Sequence, residues 1–169
     1  MEGIRSAIEK VVRQYEEEPD AAREQDSTAT AVRDGALRFR VSGPHGEIVT
    51  DVAKSSGGGA SAPTAGWYLR AALAACDATV IAIEAARDGI PLSRLEVSVS
   101  SETDFRGTLG MDDSVPAGPL AVHVRVSVAS DSADEDALRA VVERIRTLSP
   151  VGDAVSRAIP MTTEVVIGD

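Results

Sequence analysis

The stretch AGWYLRAALAACDATVIAIEAARDG, residues 65–89, decides how the rest of this chain is read. Nearly every residue from Ala71 to Ala86 is apolar, and Gly89 stands where the left-handed turn that ends a helix favours glycine. The pattern predicts one long helix. Its ionisable residues Arg70, Asp77 and Glu84 recur every seven positions. That is close to two helical turns, so they are expected as one narrow polar stripe on an otherwise buried helix. A bilayer crossing takes roughly 20 apolar residues, but the regular charges and the missing interfacial flanks argue for a core helix. The only cysteine of the chain, Cys76, sits in its middle.

Composition narrows what this helix serves. A chain of 169 residues with 43% hydrophobic content has enough material for one domain with a real core. The formal net charge is −10, from 17 basic and 27 acidic side chains. That balance disfavours nucleic acid and anionic membrane surfaces, both of which call for basic patches. Aromatic residues are only 3% of the chain, which weakens any case for base-stacking or carbohydrate platforms. One cysteine makes no internal disulfide and no cysteine-rich zinc site. The two histidines, His45 and His123, fall in no metal-binding spacing, so no metal or cofactor is expected. The opening MEGIRSAIEKVV lacks the basic and apolar regions of a secretory signal. The expectation is a soluble cytoplasmic protein with a reduced thiol.

Outward from the long helix, residues 2–18 place Ile4, Ile8, Val11, Val12 and Tyr15 at steps of three or four, an amphipathic helix. The polar EEEPDAAREQDS that follows reads as a linker. Residues 1–26 are therefore a helix and linker set apart from a domain over 27–169. The helix is expected either on a partner surface or over this subunit's own sheet. From Ser27 the period becomes two. Thr28–Val32 and Ala36–Val41 are predicted strands with Arg33-Asp34-Gly35 as a tight turn, and Glu47–Val52 is a third strand after Gly43-Pro44-His45-Gly46. His45 belongs to that turn tip. The run Lys54–Pro63 is Gly-rich but lacks a Gly-Lys-Ser/Thr ending, so it reads as a flexible lead-in and not as a phosphate cradle.

Beyond the long helix, Leu95, Val97 and Val99 alternate with polar residues, and Leu120 to Val128 alternate strictly, with His123 on the wet side. Asp104–Pro119 is an acidic Gly- and Pro-rich connection. Ser132-Ala133-Asp134-Glu135 forms a capping box ahead of a helix running to Leu148. Ser149 and Pro150 open the next helix, and Met161–Ile167 is a closing strand. Hairpin strands exclude a parallel sheet. The fold class is α+β, antiparallel sheet packed on a long buried helix.

Two segments, LRAALAACDATVIAIEAARDG and SPVGDAVSRAIP, resemble the OsmC/Ohr family of hydroperoxide-resistance proteins over roughly residues 27–169. The resemblance implies an intertwined α+β homodimer with long central helices and antiparallel sheets at its sides. It puts Cys76 at the family's peroxidatic position and Ser149, in Ser149-Pro150-Val151, where the resolving cysteine would stand. The family's glutamate ten residues before the peroxidatic cysteine is Gly66 here. Arg33-Asp34-Gly35 is similar to the turn that supplies the catalytic arginine.

Two functions follow from that resemblance. In one, Cys76 attacks a hydroperoxide, Arg33 stabilises the thiolate and leaving group, and an external thiol completes the cycle in place of a second cysteine. In the other, a non-catalytic dimer binds a small apolar ligand, and Cys76 is a core residue, as a lone buried cysteine commonly is.

Overall fold

The computed structural model describes residues 2–168. Its centre is α2, Ala65–Arg87, the helix expected from the sequence. Thr64 caps its start, its Oγ1 accepting from Trp67 N at 3.2 Å. At its end Gly89 adopts φ +71°, while Ile90 N donates to Ala85 O and Gly89 N to Ala86 O. These two bonds close a Schellman motif, which satisfies carbonyls that a helix end leaves open.

The polar spacing reads correctly, but Asp77 and Glu84 are buried together with apolar residues of α2 and do not form a wet stripe. Asp77 and Glu84 are among the most buried residues of α2, while Trp67 and Leu69 are exposed. Glu84 faces inward because it has partners there. Arg144 donates to Glu84 at 2.9 Å and to Asp88 at 2.6 Å, and Arg87 donates to Glu84 at 3.0 Å. Hydrogen bonds from Arg144 to Asp88 and then to Glu84 hold the guanidinium protonated beyond its ordinary range.

Two antiparallel sheets flank this helix. β1 (Thr30–Arg33), β2 (Phe39–Gly43) and β3 (Gly46–Thr50) form one, in that order. β4 (Arg94–Glu102) and β5 (Ala121–Ala129) form the other, in full register from Arg94↔Ala129 to Glu102↔Ala121. β4 alternates in burial along its whole length, as its sequence predicts, and packs on α2. The core gathers where they meet: Ile81 and Val141 are fully buried, with Ala85 beside them and Leu95, Val97 and Val126 packed around.

The first hairpin departs from expectation. Arg33 pairs with Phe39, so five residues, Asp34–Arg38, connect β1 and β2 instead of a tight Arg33-Asp34-Gly35 turn. The wider loop is held by Asp34 N donating to Arg38 O at 2.9 Å, and by Arg38 and Arg40 both reaching the Asp34 carboxylate. The second hairpin is as read: Gly43 pairs with Gly46, leaving Pro44 and His45 as the turn.

The helices after β5 also shift. α3 (Phe105–Thr108) is one short turn inside the acidic connection. α4 (Glu135–Glu143) is capped by Asp134, which accepts from Ala137 N, and not by a box on Ser132. The expected single helix to Leu148 is divided at Arg144 into α4 and α5 (Ile145–Leu148). α6 (Pro150–Ser156) starts on Ser149, as read. α1 (Glu2–Glu17) packs on α2, not over a sheet. Met161–Ile167 forms no strand, and Met161 and Ile167 are 90% and 91% exposed. Among the described residues this segment pairs with no edge of either sheet. No helix among the described residues is long and apolar enough to cross a membrane.

The Gly-rich run is ordered by a buried carboxylate. Asp51 accepts from Ser61 N at 3.0 Å and Ser61 Oγ at 2.8 Å, from Val52 N at 2.8 Å and from Gly59 N at 3.1 Å. These donors, Ser61 foremost, lower its pKa to about 2. The run is therefore a latched loop, not a flexible lead-in. Asp51 N also donates to Pro63 O, and Tyr68 Oη to Val49 O at 3.1 Å, which fixes the start of α2 to β3.

Candidate functional site

Cys76 sits midway along α2 with its side chain half-buried. Ser149 Oγ donates to Cys76 Sγ across 3.4 Å, joining residues 73 positions apart. The same hydroxyl accepts from Gly152 N at 3.1 Å, so one oxygen both caps α6 and contacts the sulfur. Ser149 is 2% exposed, which leaves its hydroxyl few alternative partners. Gly152 is required by this packing: a Cβ there would lie 2.9 Å from Ser149 Oγ and 3.1 Å from Ser149 Cβ. Asp77 is buried beside it, its Oδ1 3.8 Å from that same point.

The structure thus brings together Cys76 and Ser149. It does not bring Arg33 to them within one chain. Arg33 lies exposed on β1, and its Nε donates to Gly35 O at 2.9 Å inside its own hairpin. His45 and His123 are both exposed, His123 on β5 opposite Ser100. Among the described residues no group of three or more His, Cys, Asp or Glu side chains comes together as a metal site would require.

A cavity of about 570 Å³ opens beside the first half of α2. Its walls come from α2, the latched loop after β3, and the connection between β4 and β5. Leu69, Leu73, Phe105 and Val122 make it largely apolar, and Gly66 and Arg70 face it from α2. Cys76 lies outside this lining, one turn beyond Leu73. Arg70 Nη1 donates to Ser101 Oγ at 3.2 Å. Sequence reasoning put Arg70 in a polar stripe and missed the cavity, which is assembled from segments far apart in the chain. The one available signal was a single cation in an apolar run.

The OsmC-like protein family model matches residues 57–164, well over half of the chain and spanning both Cys76 and Ser149. The chain belongs to the OsmC-like family. Solved structures share the fold. An OsmC-like protein from Mycoplasma pneumoniae superposes with a TM-score of 0.66 at 16% identity, over 79% of this chain and 89% of that one. The organic hydroperoxide resistance protein OsmC from Legionella pneumophila gives 0.58 at 16% identity, over 79% and 91%. An organic hydroperoxide resistance protein from Vibrio cholerae, with captopril bound in one of its active sites, gives 0.52 at 20%, over 79% and 87%. At these identities the likeness is one of fold. No curated protein matches the sequence. Within this fold, Cys76 and Ser149 occupy neighbouring places on α2 and at the start of α6.

Proposed function

We propose that this OsmC-like protein acts in organic hydroperoxide resistance as a homodimeric, one-cysteine hydroperoxide reductase of the cytoplasm. The observation that carries the reading is the Ser149 hydroxyl directed at the half-buried Cys76 sulfur, because it holds a polar hydrogen-bond donor against the atom that would attack the peroxide. Solved relatives named as organic hydroperoxide resistance proteins share the fold.

The cycle balances with one cysteine. The Cys76 thiolate attacks the terminal peroxide oxygen; an S–O bond forms as the O–O bond breaks, and the alkoxide leaves and takes a proton to become the alcohol. Sulfur is oxidised to a sulfenic acid and the peroxide is reduced. An external thiol then condenses with the sulfenic acid, releasing water, and a second thiol displaces Cys76 and leaves as a disulfide. Ser149 cannot act as resolver, so the reductant must come from solution.

The second copy is supported by what one chain leaves uncovered. Every residue of β1 is exposed, as are Val165, Val166 and Ile167 near the end of the chain. In the proposed dimer Arg33, exposed on β1, serves the other copy's Cys76.

A second reading is favoured by the apolar cavity, which excludes Cys76: a dimer that binds a small apolar ligand, with Cys76 as a core side chain. The test is consumption of cumene hydroperoxide with dithiothreitol as reductant. Wild-type protein should turn over, and Cys76→Ser should fall to the uncatalysed rate. Equal consumption by both sinks the reductase reading. Light scattering should give about twice the 17.6 kDa chain mass; a monomer contradicts the assembly.

A further inference from the structure

We infer that the cavity beside α2 binds an apolar monocarboxylate, with its carboxylate on Arg70 and its tail among Leu69, Leu73, Phe105 and Val122. The inference rests on the ligand-binding reading of this cavity and is independent of whether Cys76 is reactive.

The argument begins with charge. The chain carries 27 acidic side chains, yet no Asp or Glu lines this cavity. Arg70 is its only ionisable residue. Guanidinium offers five N–H donors, and among the described residues Arg70 makes one hydrogen bond, to Ser101 Oγ, and no ion pair. The other arginines close to α2, Arg87 and Arg144, are paired with carboxylates. A cation on a largely apolar wall without a counter-charge costs free energy that a neutral ligand would not recover.

Gly66 then supplies the space. A Cβ placed on Gly66 would lie 3.8 Å from Arg70 Nη1 and 3.9 Å from Thr64 Oγ1. A glycine at this position leaves the volume beside the guanidinium empty, where a longer side chain would fill it. Thr64, Ala65 and Gly66 also line the cavity, so the start of a 23-residue helix opens onto it, the end whose partial positive charge favours an anion.

The form of the head follows. One planar guanidinium matches one carboxylate in a two-bond fork, whereas a doubly charged phosphate would find a single cation here. The tail follows from the walls. A volume of about 570 Å³ falls within the roughly 300–1,000 Å³ usual for small-molecule sites.

Calorimetric titration with decanoate and with decanol, chains of equal length and different head, tests the assignment. Wild-type protein should bind decanoate saturably and decanol about tenfold or more weaker. Arg70→Met, which keeps an unbranched side chain, should bring decanoate down to the level of decanol and leave decanol unchanged. Gly66→Glu places a carboxylate beside Arg70 and should abolish decanoate binding while the variant retains its thermal transition. Cys76→Ser should bind decanoate as wild type does, which separates this result from any outcome of the peroxide assay. Absence of decanoate binding, equal affinity for the two probes, or an unchanged affinity in Arg70→Met overturns the inference. Loss of binding in Cys76→Ser would move the ligand to the sulfur and overturn it as well.

Discussion

Ser149 and Cys76 meet side chain to side chain, 3.4 Å between oxygen and sulfur, although α2 and α6 carry them 73 residues apart. A disulfide needs close side chains with the right approach, so Ser149→Cys should create a two-thiol centre. On treatment with a hydroperoxide this variant should lose both thiols and form an intramolecular disulfide that dithiothreitol reverses, read by thiol titration and mass spectrometry. Two free thiols persisting after oxidation would mean that the side chains meet at an angle unsuited to bonding.

Gly152 keeps that contact in place. Gly152→Ala would put a methyl carbon 2.9 Å from Ser149 Oγ, and overpacking of this kind costs about 1–3 kcal/mol. Urea unfolding should show the loss. The native rate of Cys76 with a neutral thiol reagent should change with it, because the hydroxyl must move. Gly3→Ala, where nothing lies within 4 Å of the added carbon, is the matched control.

Arg144 joins the end of α2 to the break between α4 and α5. Arg144→Ala leaves the buried Glu84 carboxylate with Arg87 alone and Asp88 with no partner from this group. A fully buried pair broken on one side costs about 3–5 kcal/mol. Arg144 is 36% exposed at its side chain, and Glu84 keeps one cation, so a loss on the order of 1–2 kcal/mol is expected. Chemical denaturation checks it.

Asp51 sets a pH dependence. Its folded pKa, about 2, lies below the usual carboxylate value near 3.9. Stability from the latch is therefore complete above pH 4 and drains away as pH falls toward 2. Asp104 and Asp112, lowered by Arg106 and Ser114 respectively, act in the same acid range. Asp51→Asn should reduce the melting temperature by several degrees at pH 7, and the gap from wild type should shrink on acidification. A gap that stays constant to pH 2 would show that the carboxylate charge contributes nothing.

What could be read from the sequence was what neighbouring residues decide between themselves. The extent of α2, its Gly89 ending, the Pro44-His45 turn, the alternation of β4 and the Ser149 start of α6 are local, and all are seen. The inward face of Glu84 was hidden because it depends on Arg144, far along the chain. The latch of Asp51 escaped for the same reason: an isolated aspartate before a glycine run carries no sign of the four donors that return to it. At the site, resemblance placed Ser149 at Cys76, but no periodicity says which wall Arg70 faces. Arg33 was assigned by a turn motif, and the wider hairpin keeps its guanidinium on Gly35.

The stretch from Met161 to Ile167 has a consequence for handling the protein. Val165, Val166 and Ile167 are 75%, 85% and 91% exposed, β-branched and consecutive, with Glu164 the one charge just before them. Wherever a second copy does not cover it, a short segment of this kind with free backbone groups recruits other strands indiscriminately. Dilution, truncation or a bulky tag at this end should therefore govern whether preparations stay clear or turn cloudy, and a lysine in place of Val166 should act as a gatekeeper against precipitation.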